Sequence, residues 1–81
     1  MTAEEMFKQL GYKKEKDIIN EQFIISYKKD YGPEFCRIYF SKPDKTFVTR
    51  HFDENGEMQS EIVNVQEFKA IQQQLKEFGW I

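Results

Sequence analysis

The same local pattern occurs near both ends of this chain: a capping residue, a short helix with an apolar stripe, and a glycine followed at once by a large aromatic residue. In the first copy, Thr2 and Glu5 have the spacing of a capping box, in which each side chain accepts from a backbone N–H that the first turn leaves without a partner. The stripe runs to Leu10, and Gly11 can adopt the left-handed conformation that ends a helix, with Tyr12 folding back onto it. The pattern therefore predicts a short N-terminal helix.

The second copy predicts a C-terminal helix with the same kind of start and stop. Asn64 and Glu67 open it, and Gly79 followed by Trp80 closes it. Apolar residues at helical spacing form its predicted buried stripe: Val65, Phe68, Ile71, Leu75 and Phe78. The other side of this helix is polar, so we expect that side to face water.

Four segments rich in β-branched and aromatic residues lie between the helices. They are separated by the turns Tyr31-Gly32-Pro33, Lys42-Pro43-Asp44 and Glu54-Asn55-Gly56. The predicted strands are Gln22–Lys28, Glu34–Phe40, Thr46–Phe52 and Glu57–Val63. We therefore predict an α+β fold of order α-β-β-β-β-α, a four-stranded antiparallel meander with the N- and C-terminal helices packed on one face.

Alternation along the last predicted strand indicates which side of the sheet the helices cover. Met58 and Ile62 alternate with polar residues, so the even positions of that strand are expected to face the helices. Following the hairpins back places the rest of the covered face at Phe47, Thr49, His51, Cys36, Ile38, Phe40, Phe23, Ile25 and Tyr27. The remaining positions would form an open face.

The open face carries the candidate site. Its central residues would be Phe35, Arg37, Tyr39, Arg50 and Phe52, with Val48 beside them and Ile24, Glu61 and Val63 at the margins. Aromatic residues and arginine without lysine are typical of the centre of a protein-binding surface, with the rings as anchors and the guanidinium groups as orienting donors. The same residues would also be explained by cross-strand stabilisation alone.

Two other uses of this face remain open. A second copy of the chain could pack on it, or on an open edge strand, to give a homodimer. Aromatic and guanidinium groups on an open sheet can also stack unpaired bases, which makes a single-stranded nucleic acid the alternative ligand. The net charge of −2 argues against nucleic acid. The nearest approach to a basic stripe is interrupted by acidic residues: Lys13, Lys14, Lys16, Lys28 and Lys29.

Length and composition predict one domain over residues 1–81. A chain of 81 residues buries only about 60% of its unfolded surface, so its 8 Phe, 4 Tyr and 1 Trp have to supply dense packing. One cysteine cannot form an internal disulfide, the first residues lack the basic and apolar regions of a signal peptide, and no apolar run reaches the roughly 18 residues of a membrane helix. We expect a cytoplasmic protein without a membrane partner.

Motifs for catalysis are absent from the sequence. It has neither a G-x-x-x-x-G-K nor a G-x-G-x-x-G loop, and one histidine with one cysteine cannot build a usual zinc site. The predicted register places Cys36 directly opposite His51, which could form a nucleophile–base pair. Because they would lie on the covered face with no evident acid to orient the imidazole, we interpret them as structural. We predict no catalytic residues, no metal and no cofactor.

Several segments resemble a group of short hypothetical proteins carried by prophages and mobile elements of Gram-positive bacteria. These segments are Phe7–Tyr12 (F-x-x-L-G-Y), Asp44–Phe47, Glu67–Ile71 and the F-G-W of Phe78–Trp80. The resemblance implies no activity and no catalytic residues. It does imply a context, because small acidic proteins of phages often act by binding a host protein, and this favours an interaction role.

Overall fold

An antiparallel sheet and two helices make up the protein, which we describe from a computed structural model that covers residues 1–19, 22–59 and 62–81. The elements are α1 (Ala3–Gln9), β1 (Lys13–Ile19), β2 (Gln22–Tyr31), β3 (Glu34–Ser41), β4 (Thr46–Phe52), β5 (Met58–Gln59) and α2 (Val65–Glu77). Over the described residues the sheet has five strands in the order β1-β2-β3-β4-β5, each antiparallel to its neighbour. The α+β class and the antiparallel meander are thus confirmed.

The predicted count of four strands is wrong, because β1 was not recognised in the sequence. It pairs with β2 from Lys13 opposite Lys28 to Ile19 opposite Gln22. Its first five residues are charged, so they give no alternation of apolar and polar side chains by which a strand could be detected. Its pairing with β2 places this strand at the edge of the sheet.

The last strand is shorter than the predicted Glu57–Val63, and its sidedness is reversed. Residues 62–64 have no regular secondary structure, and Glu61 lies outside the described residues. Met58 lies opposite Phe52, on the open side of the sheet. Met58 is 61% exposed and Ile62 is 86% exposed, so the prediction that they face the helices is wrong.

The turn between β4 and β5 explains this register. Asp53 and Glu57 close it through a backbone hydrogen bond of 2.9 Å, and Gly56 adopts a left-handed conformation with φ of 79°. One carboxylate oxygen of Asp53 accepts from the backbone N–H groups of Glu57 and Asn55, each at 2.9 Å. The N–H of Glu57 is the main cause that lowers the pKa of Asp53. Because the turn closes in this way, even positions pair with even positions, and Met58 takes the side of Phe52.

Both predicted helix caps are confirmed. Thr2 and Asn64 are the N-caps of α1 and α2, and each forms a complete capping box with the glutamate three residues later. At the other ends, Gly11 and Gly79 have φ of 93° and 77°, and the N–H of the following aromatic residue donates to the carbonyl five residues back, at 2.9 and 3.0 Å. These are Schellman motifs, which fix where each helix stops.

Replacing Asn64 with alanine is expected to lower the free energy of unfolding by about 1 kcal/mol, because the N–H of Glu67 loses its acceptor at 2.8 Å. For a domain of this size the melting temperature should fall by roughly 4–8 °C. Thermal unfolding followed by circular dichroism measures the change. Gln66→Ala, on the exposed side of the same first turn, is the matched control and should leave the melting temperature nearly unchanged. Equal effects of the two substitutions would contradict the capping role.

The core lies between one face of the sheet and both helices. The described residues of the predicted covered face on β2 and β3 are all buried: Ile25, Tyr27, Cys36, Ile38 and Phe40. Phe7 of α1 stacks on Tyr27 with ring centroids 4.0 Å apart, and Phe40 contacts both rings edge-on. Phe78, at the end of α2, contacts Phe40 at 5.8 Å. Both helices therefore pack on the same side of the sheet, as predicted.

The buried side of α2 differs from the predicted stripe. Val65 and Phe68 are exposed, and the buried residues are Glu67, Ala70, Ile71 and Gln74. Two tyrosine hydroxyls explain the rotation, because Tyr12 donates to the carboxylate of Glu67 and Tyr27 donates to the side-chain oxygen of Gln74. Burial is the main cause that raises the pKa of both tyrosines well above 10. Glu67 and Gln74 are therefore buried because each accepts a hydrogen bond from a buried tyrosine hydroxyl. The spacing of the apolar residues does not reveal these hydrogen bonds.

Candidate functional site

The five predicted site residues lie together on the open face of the sheet. The register of β3 and β4 places Phe35 opposite Phe52 and Arg37 opposite Arg50, and Tyr39 lies next along β3 on the same face. Neither helix packs on this side, since the core residues alternate with these positions along β3. Arg50 is exposed and the other four are partly exposed. The strands therefore bring all five into one continuous surface, and we call it the open face.

A row of four cations crosses the open face at right angles to the strands. Lys13 lies opposite Lys28, Lys28 opposite Arg37, and Arg37 opposite Arg50. With strands about 4.8 Å apart, the row spans about 14 Å from β1 to β4. We name these four residues the cation row.

Two of the four cations in the row have anionic neighbours within the chain. The Arg37 guanidinium lies 3.4 Å from a carboxylate oxygen of Glu15, and the Lys28 ammonium lies 3.6 Å from one of Asp30. Lys13 and Arg50 are exposed and form no ion pair within the described part of the chain. Each end of the row therefore carries a positive charge that solvent or a ligand must balance.

The aromatic rings of the open face pack against one another and against the cation row. Phe35 and Phe52 are stacked, with centroids 4.8 Å apart and ring planes 24° apart. The Lys28 ammonium lies 4.8 Å from the Phe35 centroid, and the Arg37 guanidinium lies 5.6 Å from it. Since Phe35 and Phe52 face each other across the two strands, their faces are not turned outward to solvent. The rings present mainly their edges to a ligand.

A shallow pocket of about 250 Å³ opens at the end of this face, next to the β3–β4 turn. Its lining residues come from these two strands: Tyr39, Ser41, Thr46, Phe47, Val48 and Arg50. On the open face, Val48 supplies exposed apolar surface and Arg50 supplies a charge at the rim. Phe47 lies opposite Phe40 on the side of the helices and closes only the end of the pocket. The pocket has room for one apolar side chain of a ligand, beside a cation that can hold a carboxylate.

The sequence predicted that the five residues share one face, but it did not predict the cation row. Lys13 belongs to β1, which was not predicted, so its alignment with the other cations could not be foreseen. The lysine cluster considered from the sequence does not form one patch. Lys13 and Lys28 lie on the open face, whereas Lys14 lies opposite Tyr27 and Lys29 opposite Cys36, on the side of the helices.

The predicted neighbours Cys36 and His51 are confirmed as direct cross-strand partners, with the thiol sulfur 3.1 Å from Nδ1 of the imidazole. The interpretation that no acid orients this imidazole is wrong. Oε1 of Glu34 lies 3.1 Å from Nε2 of His51. Glu34 stands two residues before Cys36 on β3, and residues two apart on a strand share a face, so the sequence did contain the signal.

Within residues 1–19, 22–59 and 62–81, no group of three or more His, Cys, Asp or Glu side chains is placed to hold a metal ion. The Cys36–His51–Glu34 cluster is linear, with the imidazole between the thiol and the carboxylate. Neither helix of the described chain has the length and apolar character needed to cross a bilayer. Comparison of the chain with family models, curated proteins and solved structures gives no match.

Proposed function

We propose that this protein is a small, non-enzymatic, cytoplasmic protein-binding module whose open face holds an acidic segment of a partner protein. The observation that carries the proposal is the cation row, flanked by partly exposed aromatic rings on the side of the sheet that the helices leave open. The resemblance to prophage proteins would make the partner a protein of the bacterial host.

The charge arrangement supports an acidic partner. Like charges directly opposite each other on neighbouring strands are destabilising, and this face has three such pairs in line. A partner carboxylate near Lys13 or Arg50 would relieve that repulsion and would gain charge-assisted hydrogen bonds. The protein as a whole has a net charge of −2, so the four cations of the row are a local concentration of positive charge, with Glu15 and Asp30 beside it.

The apolar part of the surface would supply the anchor. An aliphatic or aromatic side chain of the partner can enter the pocket between Tyr39 and Val48, while Arg50 at the rim binds a neighbouring carboxylate. Arginine and tyrosine beside a desolvated pocket are the residue types that carry most of the binding energy in protein interfaces. The partner segment is therefore expected to combine acidic residues with at least one large apolar residue.

Ring orientation favours a protein over a single-stranded nucleic acid. Base stacking needs a ring face turned outward, and Phe35 and Phe52 turn their faces toward each other. A second copy of the chain is disfavoured by charge, because a symmetric pairing of two open faces would bring two cation rows together.

Two variants of the open face test the proposal in an affinity pull-down from nuclease-treated bacterial lysate, read by mass spectrometry. Arg50→Glu is expected to reduce the captured partner on the order of 30-fold, which corresponds to about 2 kcal/mol at an interface hot spot. The double variant Tyr39→Ser with Phe52→Ser should abolish capture. Lys69→Glu, the same change of charge on the exposed side of α2, is the matched control and should capture as the parent protein does.

Thermal unfolding of each variant separates binding from folding, because Arg50 is exposed, and the loss of the partly exposed Tyr39 and Phe52 rings with the Phe35–Phe52 stack should cost on the order of 1 kcal/mol. Capture that is equally strong with both open-face variants would contradict the proposal. Molar mass that rises with concentration and falls in the variants would identify a second copy as the occupant. Binding of an unpaired oligonucleotide that weakens steeply with salt would favour the nucleic-acid alternative.

A further inference from the structure

A linear cluster of thiol, imidazole and carboxylate lies on the side of the sheet that the helices cover. β3 supplies Glu34 and Cys36, and β4 supplies His51, which is the direct cross-strand partner of Cys36. The sulfur lies 3.1 Å from Nδ1, and Nε2 lies 3.1 Å from the Glu34 carboxylate. The cluster lies on the other side of the sheet from the open face, so an inference about it does not depend on the proposed function.

The carboxylate sets the tautomer of the imidazole. A carboxylate can only accept, so Nε2 of His51 carries the proton and donates to Glu34. In the neutral ring Nδ1 is then the acceptor, and it faces the Cys36 thiol. Transfer of the thiol proton to Nδ1 would give a thiolate beside an imidazolium that Glu34 stabilises. This is the arrangement of nucleophile, base and orienting acid found where side chains are activated for attack.

Charged and titratable side chains surround the sulfur. Lys29 lies directly opposite Cys36 on β2, with its ammonium 5.0 Å from the centroid of the Tyr31 ring and 5.7 Å from that of the Tyr12 ring. The Tyr31 ring packs against the His51 ring with centroids 6.2 Å apart, which helps to hold the imidazole in place. Tyr12, after α1, is the titratable group near the thiol on the helix side, and Asp53 is the acidic neighbour of His51 beyond β4.

The three side chains of the cluster differ in their exposure to solvent. His51 and Glu34 are partly exposed, whereas Cys36 is 5% exposed and belongs to the core cluster. Only a small reagent can therefore reach the sulfur without opening the fold. A small reagent that accepts attack by a thiolate and needs a proton for its leaving group matches both the access and the chemistry.

We propose that Cys36 is a peroxide-reactive thiol, activated by His51 and positioned through Glu34. The thiolate sulfur attacks one oxygen of hydrogen peroxide, so an S–O bond forms and the O–O bond breaks. The leaving hydroxide takes the proton from the His51 imidazolium and becomes water. Sulfur loses two electrons to the peroxide, and Cys36 becomes a sulfenic acid. The chain has 1 cysteine, so no disulfide can form within it, and an external thiol has to restore the reduced form.

The first test compares the folded protein with the same protein unfolded in urea at pH 7, with the sulfenic acid trapped by dimedone and the Cys36 peptide measured by mass spectrometry. An ordinary buried thiol reacts more slowly in the folded state. An activated Cys36 should react at least ~10-fold faster when folded, since a positioned base commonly contributes ~10²–10⁴. A folded protein that reacts more slowly than the unfolded chain would overturn the proposal.

The second test separates activation from structure through the pH dependence of the folded protein's rate. His51→Gln and Glu34→Gln should each lower the rate at least ~10-fold at pH 7. At pH ~10 the difference between each variant and the parent should narrow, because hydroxide can then remove the thiol proton without a positioned base. Glu57→Gln, an exposed glutamate in the next turn, is the matched control. Variants that match the parent at pH 7, or differ equally at both pH values, would contradict the roles of His51 and Glu34.

Discussion

Replacing Phe7 with alanine is expected to remove a large part of the protein's free energy of unfolding, about 3–5 kcal/mol. Phe7 is 0% exposed, stacks on Tyr27 at 4.0 Å, and meets Tyr12 and Phe40 edge-on at 5.5 and 6.5 Å. Truncation of a buried phenylalanine to alanine costs about 3–5 kcal/mol, because it removes buried area and leaves a cavity among side chains that cannot collapse fully. The total free energy of unfolding of a domain of this length is roughly 4–12 kcal/mol.

Urea denaturation followed by tryptophan fluorescence and circular dichroism measures this loss. Phe68→Ala is the matched control, because it removes the same side chain from a position that is 54% exposed. Phe68→Ala should change the free energy of unfolding by no more than about 0.5 kcal/mol. If the two substitutions cost the same, Phe7 does not occupy the centre of the core described above.

The second large effect is a loss of stability at alkaline pH, caused by Tyr12 and Tyr27. Their folded-state pKa values are raised, chiefly by burial, whereas an unfolded tyrosine ionises near pH 10. Their contribution is therefore fully present below pH 10 and declines as the pH rises above it, because the unfolded chain releases protons that the folded chain retains. At pH 11.5 the two residues together should lower the free energy of unfolding by about 4 kcal/mol relative to pH 9.

Urea denaturation at both pH values tests whether the buried tyrosines cause the alkaline loss of stability. It compares the parent protein with Tyr12→Phe and Tyr31→Phe. Tyr12→Phe should show about half of the alkaline loss of the parent, because one buried hydroxyl remains. Tyr31→Phe removes an exposed hydroxyl and should show the full loss. An alkaline loss that is unchanged by Tyr12→Phe would mean that other groups cause it.

The sequence predicted those parts of the fold that depend on local chemistry. The capping boxes at Thr2 and Asn64, and the stops at Gly11 and Gly79, depend on residues within one turn of the helix end, so they can be recognised in the sequence. The covered face of β3 was predicted correctly, but from the alternation of Met58 and Ile62, which do not face the helices. Two errors cancelled, one in the side that Met58 takes and one in the register of the β4–β5 hairpin.

Elements that depend on distant partners were not predictable. β1 is held by its pairing with β2, and its charged residues conceal it as a strand. The buried side of α2 is set by the hydroxyls of Tyr12 and Tyr27, which bring Glu67 and Gln74 into the core instead of Val65 and Phe68. Periodicity counts polar residues as exposed, so it could not identify these contacts.

The candidate sites also combine features that local sequence predicts with features that depend on distant strands. Phe35, Arg37, Tyr39, Arg50 and Phe52 share a face because they alternate along two strands whose turn was recognised, whereas the cation row required the position of Lys13 in an unrecognised strand. Glu34 was available to sequence reasoning, since it shares a strand face with Cys36. Its position at the first residue of β3, next to a turn, indicates only the start of a strand.

The hydrogen bonds between the first third of the chain and α2 have a consequence for synthesis. Tyr12 and Tyr27 donate to side chains 55 and 47 residues later, and the N–H of Ala3 donates to the carboxylate of Glu77, 74 residues later. At a synthesis rate of ~5–20 residues per second, roughly 4–14 s pass between the synthesis of Phe7 and the completion of α2 at Glu77. During that interval the nascent chain exposes the aromatic cluster of Phe7, Tyr27 and Phe40. Chaperones that shield apolar nascent segments should therefore influence the yield of this protein more than the rate at which its hairpins form.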